Sequence, residues 1–322
     1  MRALLIINPR ATSMTGRDAG LVVRELGSRL ELETAQTRYR GHAGELAAAS
    51  AAQGYDLVVT FGGDGTVNEV VNGLMRARVP DYSGPPCDPA SPGPTRLPAI
   101  TPIPGGGANV FARTLGMPPD PAAAVRQILD AVGTGARRTI GLGLAAGRYF
   151  TFSAGLGVDA EVVADIERLR ARGRQASTLL YLRTALRRYY AGTDRRRPAL
   201  TLLTPGEPAM TGLFMGVVTN SSPWTYQGSH PVRPAPHTDL NSGLDLFALR
   251  RLRTLTTLAA LGRMMHTTEE LPSGRDVVSA AALTELTFQA ERPIAFHIDG
   301  EYLGETEAVA FRFVPDALCV IA

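Results

Sequence analysis

The stretch "DLVVTFGGDGTVNEVVNGL", Asp56 to Leu74, decides how the first half of the chain reads. Leu57 to Phe61 has the length and β-branched content of a buried strand. Gly62, Gly63 and Gly65 then surround Asp64, and helical spacing resumes. Glycine costs conformational entropy on folding, so three in one turn imply that something comes close to the backbone. A strand entering a helix through such a turn points N–H groups and the positive helix end at an anion, which suits phosphate. Thr66 and Glu69 read as a T-x-x-E capping box opening a helix from Val67 to Leu74. The alternative is a plain turn with Asp64 bonding its own backbone, which rarely needs three glycines.

Outward from this turn, strands at Ala3–Ile7, Leu32–Gln36 and Ala99–Ile103 alternate with helices at Ala19–Leu30, Gly41–Gly54 and Pro119–Val132. That alternation predicts an α/β domain with a doubly wound parallel sheet, whose ligands bind at the carboxyl ends of the strands. A second glycine loop, "PGGGANVFAR" (Pro104–Arg113), follows the Ala99 strand, so two such turns would flank one crevice. No GxxxxGK[ST] motif occurs. Two G-x-G-x-x-A matches, Gly141–Ala146 and Gly155–Ala160, lack the strand, helix and downstream acid of a dinucleotide site. The first reads instead as a hairpin turning at Ala146-Gly147.

Past Arg137 the texture changes to short alternating apolar runs separated by glycine, which predicts a β-sandwich over residues 138–314. A basic helical stretch around Arg168 and a helix at Thr254–Met265 interrupt it. Asp81–Pro98, dense in proline and glycine, reads as an exposed loop. In "IAFHIDGEYLG" (Ile294–Gly304), Asp299-Gly300 is first a hairpin turn. Asp299 and Glu301 would also present carboxylates at a strand end, one able to take a proton from a substrate hydroxyl. His297 reads as structural.

The 322 residues are 44% hydrophobic and 20% charged, ordinary for a folded chain of two domains. A net charge of +3 gives no argument for nucleic acid. Charge is nonetheless concentrated: Arg168 to Arg197 holds ten arginines, which suits phosphate, an anionic membrane or a solvated helix face. Cys87 and Cys319 lie far apart without a CxxC, so neither a disulfide framework nor a zinc site is expected. The opening apolar run is too short for a signal peptide and no run reaches a membrane span, so the default expectation is a cytoplasmic chain, any membrane contact being peripheral.

Together these features resemble the diacylglycerol kinase catalytic-domain family, bacterial lipid kinases related to sphingosine kinases and, through GGDGT, to NAD kinases. "INPRAT" (Ile7–Thr12), Thr37 with "GHAGELA", "PGGGANVFAR", "GLGVDAEVV" (Gly155–Val163), "NSGLDLFAL" and "IDGE" are similar to the family's signatures in order and spacing. The resemblance implies an N-terminal NAD-kinase-like nucleotide-binding domain (residues 1–137, rejoined by about 315–322), a lipid-binding β-sandwich (138–314) and a cleft between them. It implies ATP contacts at Asn8, Thr37, Gly62, Gly63, Asp64, Gly65, Thr66, Asn68 and Gly107. Glu301 would be the base, with Asp299 beside it, and Asp64 would help place Mg2+. The substrate would be diacylglycerol or a related lipid at the membrane surface, with a homodimer allowed. NAD kinase and a non-catalytic nucleotide-binding regulator are the alternatives. Two departures stand out. Gly107 and Val110 replace a threonine and an acid, leaving backbone contacts there. In the loop expected to hold a structural Mg2+ through Ser242, Leu244 and Asp245, Ser242 replaces an aspartate, with Asn241 or Asp239 as substitutes.

Overall fold

The computed structural model describes residues 1–78, 97–172, 178–192, 196–227, 230–233, 238–253, 262, 264 and 271–322. Most of the proline-rich loop (81–96) and most of the helix expected at 254–265 therefore lie outside the described residues. The chain divides into two compact units, Met1–Leu142 with Pro315–Ala322, and Gly143–Val314.

The first unit runs β1 (Arg2–Ile7), α1 (Gly16–Gly27), β2 (Glu31–Gln36), α2 (His42–Ala52), β3 (Leu57–Gly62), α3 (Asp64–Ala77), β4 (Ala99–Pro104), α4 (Val110–Thr114) and α5 (Pro121–Thr134). β1 pairs in parallel with β2 on one side and β3 on the other, and β3 pairs with β4. The chain's last strand returns to this sheet, placing Val320 beside Ile100 in parallel. β3 and β4 are buried along their whole length, which is why they read as unbroken apolar runs, whereas β2 lies at the edge and stays largely exposed. α1 opens at Gly16, ahead of the expected Ala19, because Thr15 and Asp18 cap each other's backbone N–H groups.

The capping box expected at Thr66 and Glu69 does not form. α3 begins at Asp64 with Gly63 as its cap and no side-chain cap bond. Thr66 Oγ1 instead accepts from Asn8 Nδ2 at 2.9 Å. The Glu69 carboxylate accepts from the N–H groups of Gly41 (2.8 Å) and Ala43 (3.2 Å), so it satisfies the start of α2, whose own cap residue is a glycine. α2 and α3 approach closely because Gly44 and Gly73 face each other: a Cβ on Gly73 would overlap the Gly44 backbone.

The second unit is antiparallel. It contains β5 (Arg138–Ala145, its first residues in the first unit), β6 (Arg148–Phe150), β7 (Ser153–Gly157), α6 (Val158–Ala171), α7 (Thr178–Arg187) running on into a π-turn at Arg188–Gly192, and β8 (Leu200–Leu203). β9 (Met210–Leu213), β10 (Met215–Thr219), β11 (Thr225–Gln227), β12 (His230–Val232), β13 (Leu244–Leu249), β14 (Val277–Leu283), β15 (Glu285–Ile298) and β16 (Glu301–Val320) follow. One layer is ordered β14-β13-β10-β7, and β8-β9 begins another; β15 joins them, pairing with β8 through Thr287–Ala290 and with β7 through Phe296–Ile298. Leu156, Val218 and Leu246 of the first layer share a core with Leu202 and Leu213 of the second. Phe311 stands edge-on to Phe150, Phe288 and Phe296 at 6.2–6.3 Å between centroids. Gly216 on β10 lacks the Cβ that would collide with the Phe288 ring, so the layers close on that aromatic. The hairpin expected at Ala146-Gly147 is present, with both residues at positive φ. Cys319, buried in β16, is disulfide-bonded, a pairing the spacing did not signal; Cys87 lies outside the described residues. Among the described residues no helix is long and apolar enough to cross a membrane.

Candidate active site

In the first unit the two glycine loops pack backbone against backbone at the carboxyl ends of β3 and β4. Gly105 N–H donates to Gly62 O at 2.9 Å. A Cβ on Gly106 would stand 2.6 Å from the Gly63 Cα, and one on Gly105 would stand 3.2 Å from the Gly62 Cα. Four glycines are thus demanded by the loops themselves. Gly65 and Gly107 differ: a Cβ on Gly65 would meet nothing within 4 Å, and one on Gly107 only Thr12 Oγ1 at 3.9 Å. These two present bare backbone to open space, which is the surface an incoming anion needs.

Neighbours fix the loops. Asn8 N–H donates to Phe61 O, and its side chain reaches Thr66, joining the end of β1 to the start of α3. Asp64, half-buried at the head of α3, accepts the Phe111 N–H at 3.1 Å, linking the two loops through its carboxylate. Two residues that the sequence did not single out hold Gly106. Asn109 closes on its N–H and C=O at 2.8 and 2.7 Å, and Ser13 Oγ donates to its carbonyl at 3.0 Å. Asn68 is fully buried and accepts from Asn72 Nδ2, so it braces α3 from within. Thr37 follows β2, its N–H on Ile7 O at 2.9 Å.

In the second unit Asp299-Gly300 is a two-residue turn, both residues at positive φ, closing Ile298 opposite Glu301. The Asp299 carboxylate is 6% exposed and accepts four bonds, from Thr151 N–H (2.8 Å), Thr151 Oγ1 (2.9 Å), Phe152 N–H (3.1 Å) and Ser153 N–H (3.1 Å). It ties the hairpin tip to the β6–β7 connection. Glu301, one residue past the turn, pairs with Arg148, the first residue of β6. No local pattern signals Arg148, because the two lie 153 positions apart. His297 is buried and paired with Asp159 at 2.6 Å; Gly155 leaves the space that this pair fills. α6 also grips the hairpin through Glu167, which accepts the Tyr302 N–H at 3.3 Å. Further along α6, Asp165 clasps Arg188, and that hydrogen bond holds the carboxyl below its ordinary range and the guanidinium above its own.

The loop expected to hold a structural metal does not fit one. Asp245 is 2% exposed, and its two oxygens accept from Thr238 Oγ1 (2.7 Å) and Ala282 N–H (2.9 Å). The Ser242 hydroxyl bonds the N–H and C=O of Asp239 at 3.1 and 3.2 Å, and Leu244 is buried in the core. Protein donors occupy the positions a hard cation would need. Asp64 is a different case. Mg2+ is commonly held by one or two carboxylates plus substrate phosphates, and Asp64 offers such a carboxylate beside the open glycines.

The sheet order, the paired glycine loops and the antiparallel second unit make up an NAD-kinase-like α/β fold. Residues 2–139 match the family model of the diacylglycerol kinase catalytic domain. A probable lipid kinase YegS-like protein of Chromohalobacter salexigens is 29% identical over 99% of this chain and 92% of its own length. The diacylglycerol kinase of Bacillus subtilis is 35% identical over 42% of this chain and 38% of that protein. Among solved structures, a diacylglycerol kinase from Bacillus anthracis superposes with a TM-score of 0.71 at 20% identity, covering 99% of this chain and 96% of that one. Along its whole length the chain is therefore similar to a protein named as a probable lipid kinase.

Proposed function

We propose that this protein transfers the γ-phosphoryl group of ATP to a hydroxyl of diacylglycerol or a related lipid, working as a peripheral protein at the cytoplasmic face of the membrane. The observation that carries this is the pair of interlocked glycine turns that leaves Gly65 and Gly107 bare beside Asp64. Phosphoryl transfer asks chiefly for positioning and charge neutralisation, which backbone amides and a helix start supply. Asn8, Thr66, Ser13 and Asn109 keep the turns in place; Thr37 and Asn68 support the strand end and the helix around them. A bound Mg2+, held by Asp64, would neutralise phosphate charge. The lipid oxygen attacks the γ-phosphorus, the bond from that phosphorus to the β–γ bridging oxygen breaks, ADP leaves, and the hydroxyl proton passes to Glu301. Arg148 orients Glu301, and Asp299 fixes the turn that presents it.

Labelled ATP incubated with the protein, magnesium and mixed micelles of candidate lipids tests this. Label should appear in a lipid bearing a free hydroxyl. No labelled lipid under any divalent metal contradicts it, and phosphorylated NAD in a parallel reaction favours the NAD kinase alternative. ATP binding without transfer to any acceptor would favour the non-catalytic regulator.

A further inference from the structure

Phosphoryl transfer leaves Asp159 and His297 unused, yet both bear on the hairpin that carries Glu301. β15 and β16 fall out of step just below the hairpin tip: Phe296 pairs with Gly304 and His297 with Tyr302, so Leu303 has no opposite number. Gly304 sits at φ 108°, a backbone conformation that glycine accepts and other residues resist. A bulge of this kind bends the strand and re-aims the residues beyond it, so the ladder alone does not fix where the tip points. α6 takes hold on the tip side of the bulge, at both strands. From the first turn of α6, Asp159 reaches His297 Nε2 at 2.6 Å. About two turns further on, Glu167 accepts the Tyr302 N–H at 3.3 Å.

The Asp159–His297 contact is built for rigidity. His297 is 2% exposed, and its Nδ1 is buried without a hydrogen-bond partner among the described residues. With nothing to accept from Nδ1, the ring hydrogen belongs on Nε2, which donates it to the Asp159 carboxylate. Such a bond to a charged group, shielded from water, is short and costly to break. Room for it comes from Gly155, opposite His297 on β7: a Cβ there would overlap both the Asp159 carboxylate and the His297 ring. We propose that α6 is the positioning element for the base: through Asp159–His297 and Glu167–Tyr302 it sets the angle of the hairpin tip, and with it the place of Glu301. This rests on the reading of Glu301 as the base. Arg148 acts on the Glu301 carboxylate itself and Asp299 on the turn, while α6 fixes the strand pair beneath both.

Two measurements on the full chain separate this role from a merely structural one. In amide hydrogen exchange, His297→Leu should quicken Glu301 and Tyr302 at least about tenfold and leave β3 and β4 as in the parent. In assays with labelled ATP and dioctanoylglycerol micelles, the same variant should lower kcat about tenfold to a hundredfold, the usual cost of a small misplacement, with the KM for ATP unchanged. His297→Gln, whose amide nitrogen can stand where Nε2 stands, should retain most of the rate. Glu167→Ala leaves the buried pair intact, so it tests the second hold even where the leucine variant misfolds; it should lower kcat about threefold. In a Glu301→Gln background His297→Leu should cost nothing further, because it acts through that carboxylate. Parental exchange at the tip, faster exchange with unchanged kcat, or an equal further loss in the Glu301→Gln background would each overturn the proposal. A parental rate in Glu301→Gln would remove the base reading instead, and exchange at the tip would then decide alone whether α6 holds the hairpin.

Discussion

Two acidic turns, Gly63-Asp64 and Asp299-Gly300, share an Asp-Gly neighbourhood but place their carboxylates in different surroundings. Asp299 is buried beneath four donors from residues 151–153, whereas Asp64 stands half-buried at the start of α3, next to the open Gly65 and joined to Phe111 N–H. A carboxylate enclosed by backbone donors stabilises the fold, and one beside bare, exposed backbone is placed for chemistry. The same contrast divides the glycines: Gly63 and Gly106 are required by packing, while Gly65 and Gly107 are not.

The sharpest way to break this contrast between carboxylates for chemistry and for stability is to remove the proposed base Glu301 and the buried Asp299 in turn and measure activity and stability together. Glu301→Gln should lower kcat by about 10²–10⁴-fold, the usual worth of a general base, and leave thermal unfolding near that of the parent. Asp299→Ala should do the reverse in kind, costing about 3 kcal/mol or more in denaturant unfolding because several buried N–H groups lose their acceptor. If Asp299→Ala unfolds like the parent, the lock assigned to it is absent. A smaller effect is expected at Asp165. Its carboxyl is held low by Arg188, so the pair's contribution is present above the ordinary carboxylate pKa of about 4 and fades as pH falls below it. Asp165→Asn should therefore cost less than about 1 kcal/mol at neutral pH, discounted for solvent screening, with the difference vanishing in acid. Smallest of all is the effect of chelation: with Asp245 held by Thr238 and Ala282, EDTA should leave the melting temperature unchanged. A fall of several degrees would mean that a cation supports the loop after all.

The first unit was legible because β3 and β4 are buried throughout and each announces itself as an apolar run. Its errors came from side chains with a choice. Thr66 and Glu69 have the spacing of a capping box, but Asn8 and the unsatisfied start of α2 offer each a partner from elsewhere. In the second unit the sequence of β15 reads as two strands, Thr284–Ala290 and Ile294–Ile298, because Glu291-Arg292-Pro293 interrupts the alternation, and a register shift absorbs them. β16 reads as starting at Ala308 because Glu301 to Glu307 is mostly polar, yet Ala295 and Ile294 pair across from it. Arg148 and the Asp159–His297 pair depend on strand register and on distant segments meeting, which no local pattern encodes.

The central claim, that a nucleotide phosphate rests against bare backbone at Gly65, is tested most directly by titrating ATP into Gly65→Ala and Gly65→Val variants. The added Cβ meets no protein atom within 4 Å, so the alanine variant should melt close to the parent, while ATP affinity should fall stepwise and by at least about tenfold with valine. Undiminished ATP affinity in a folded Gly65→Val protein would contradict the account.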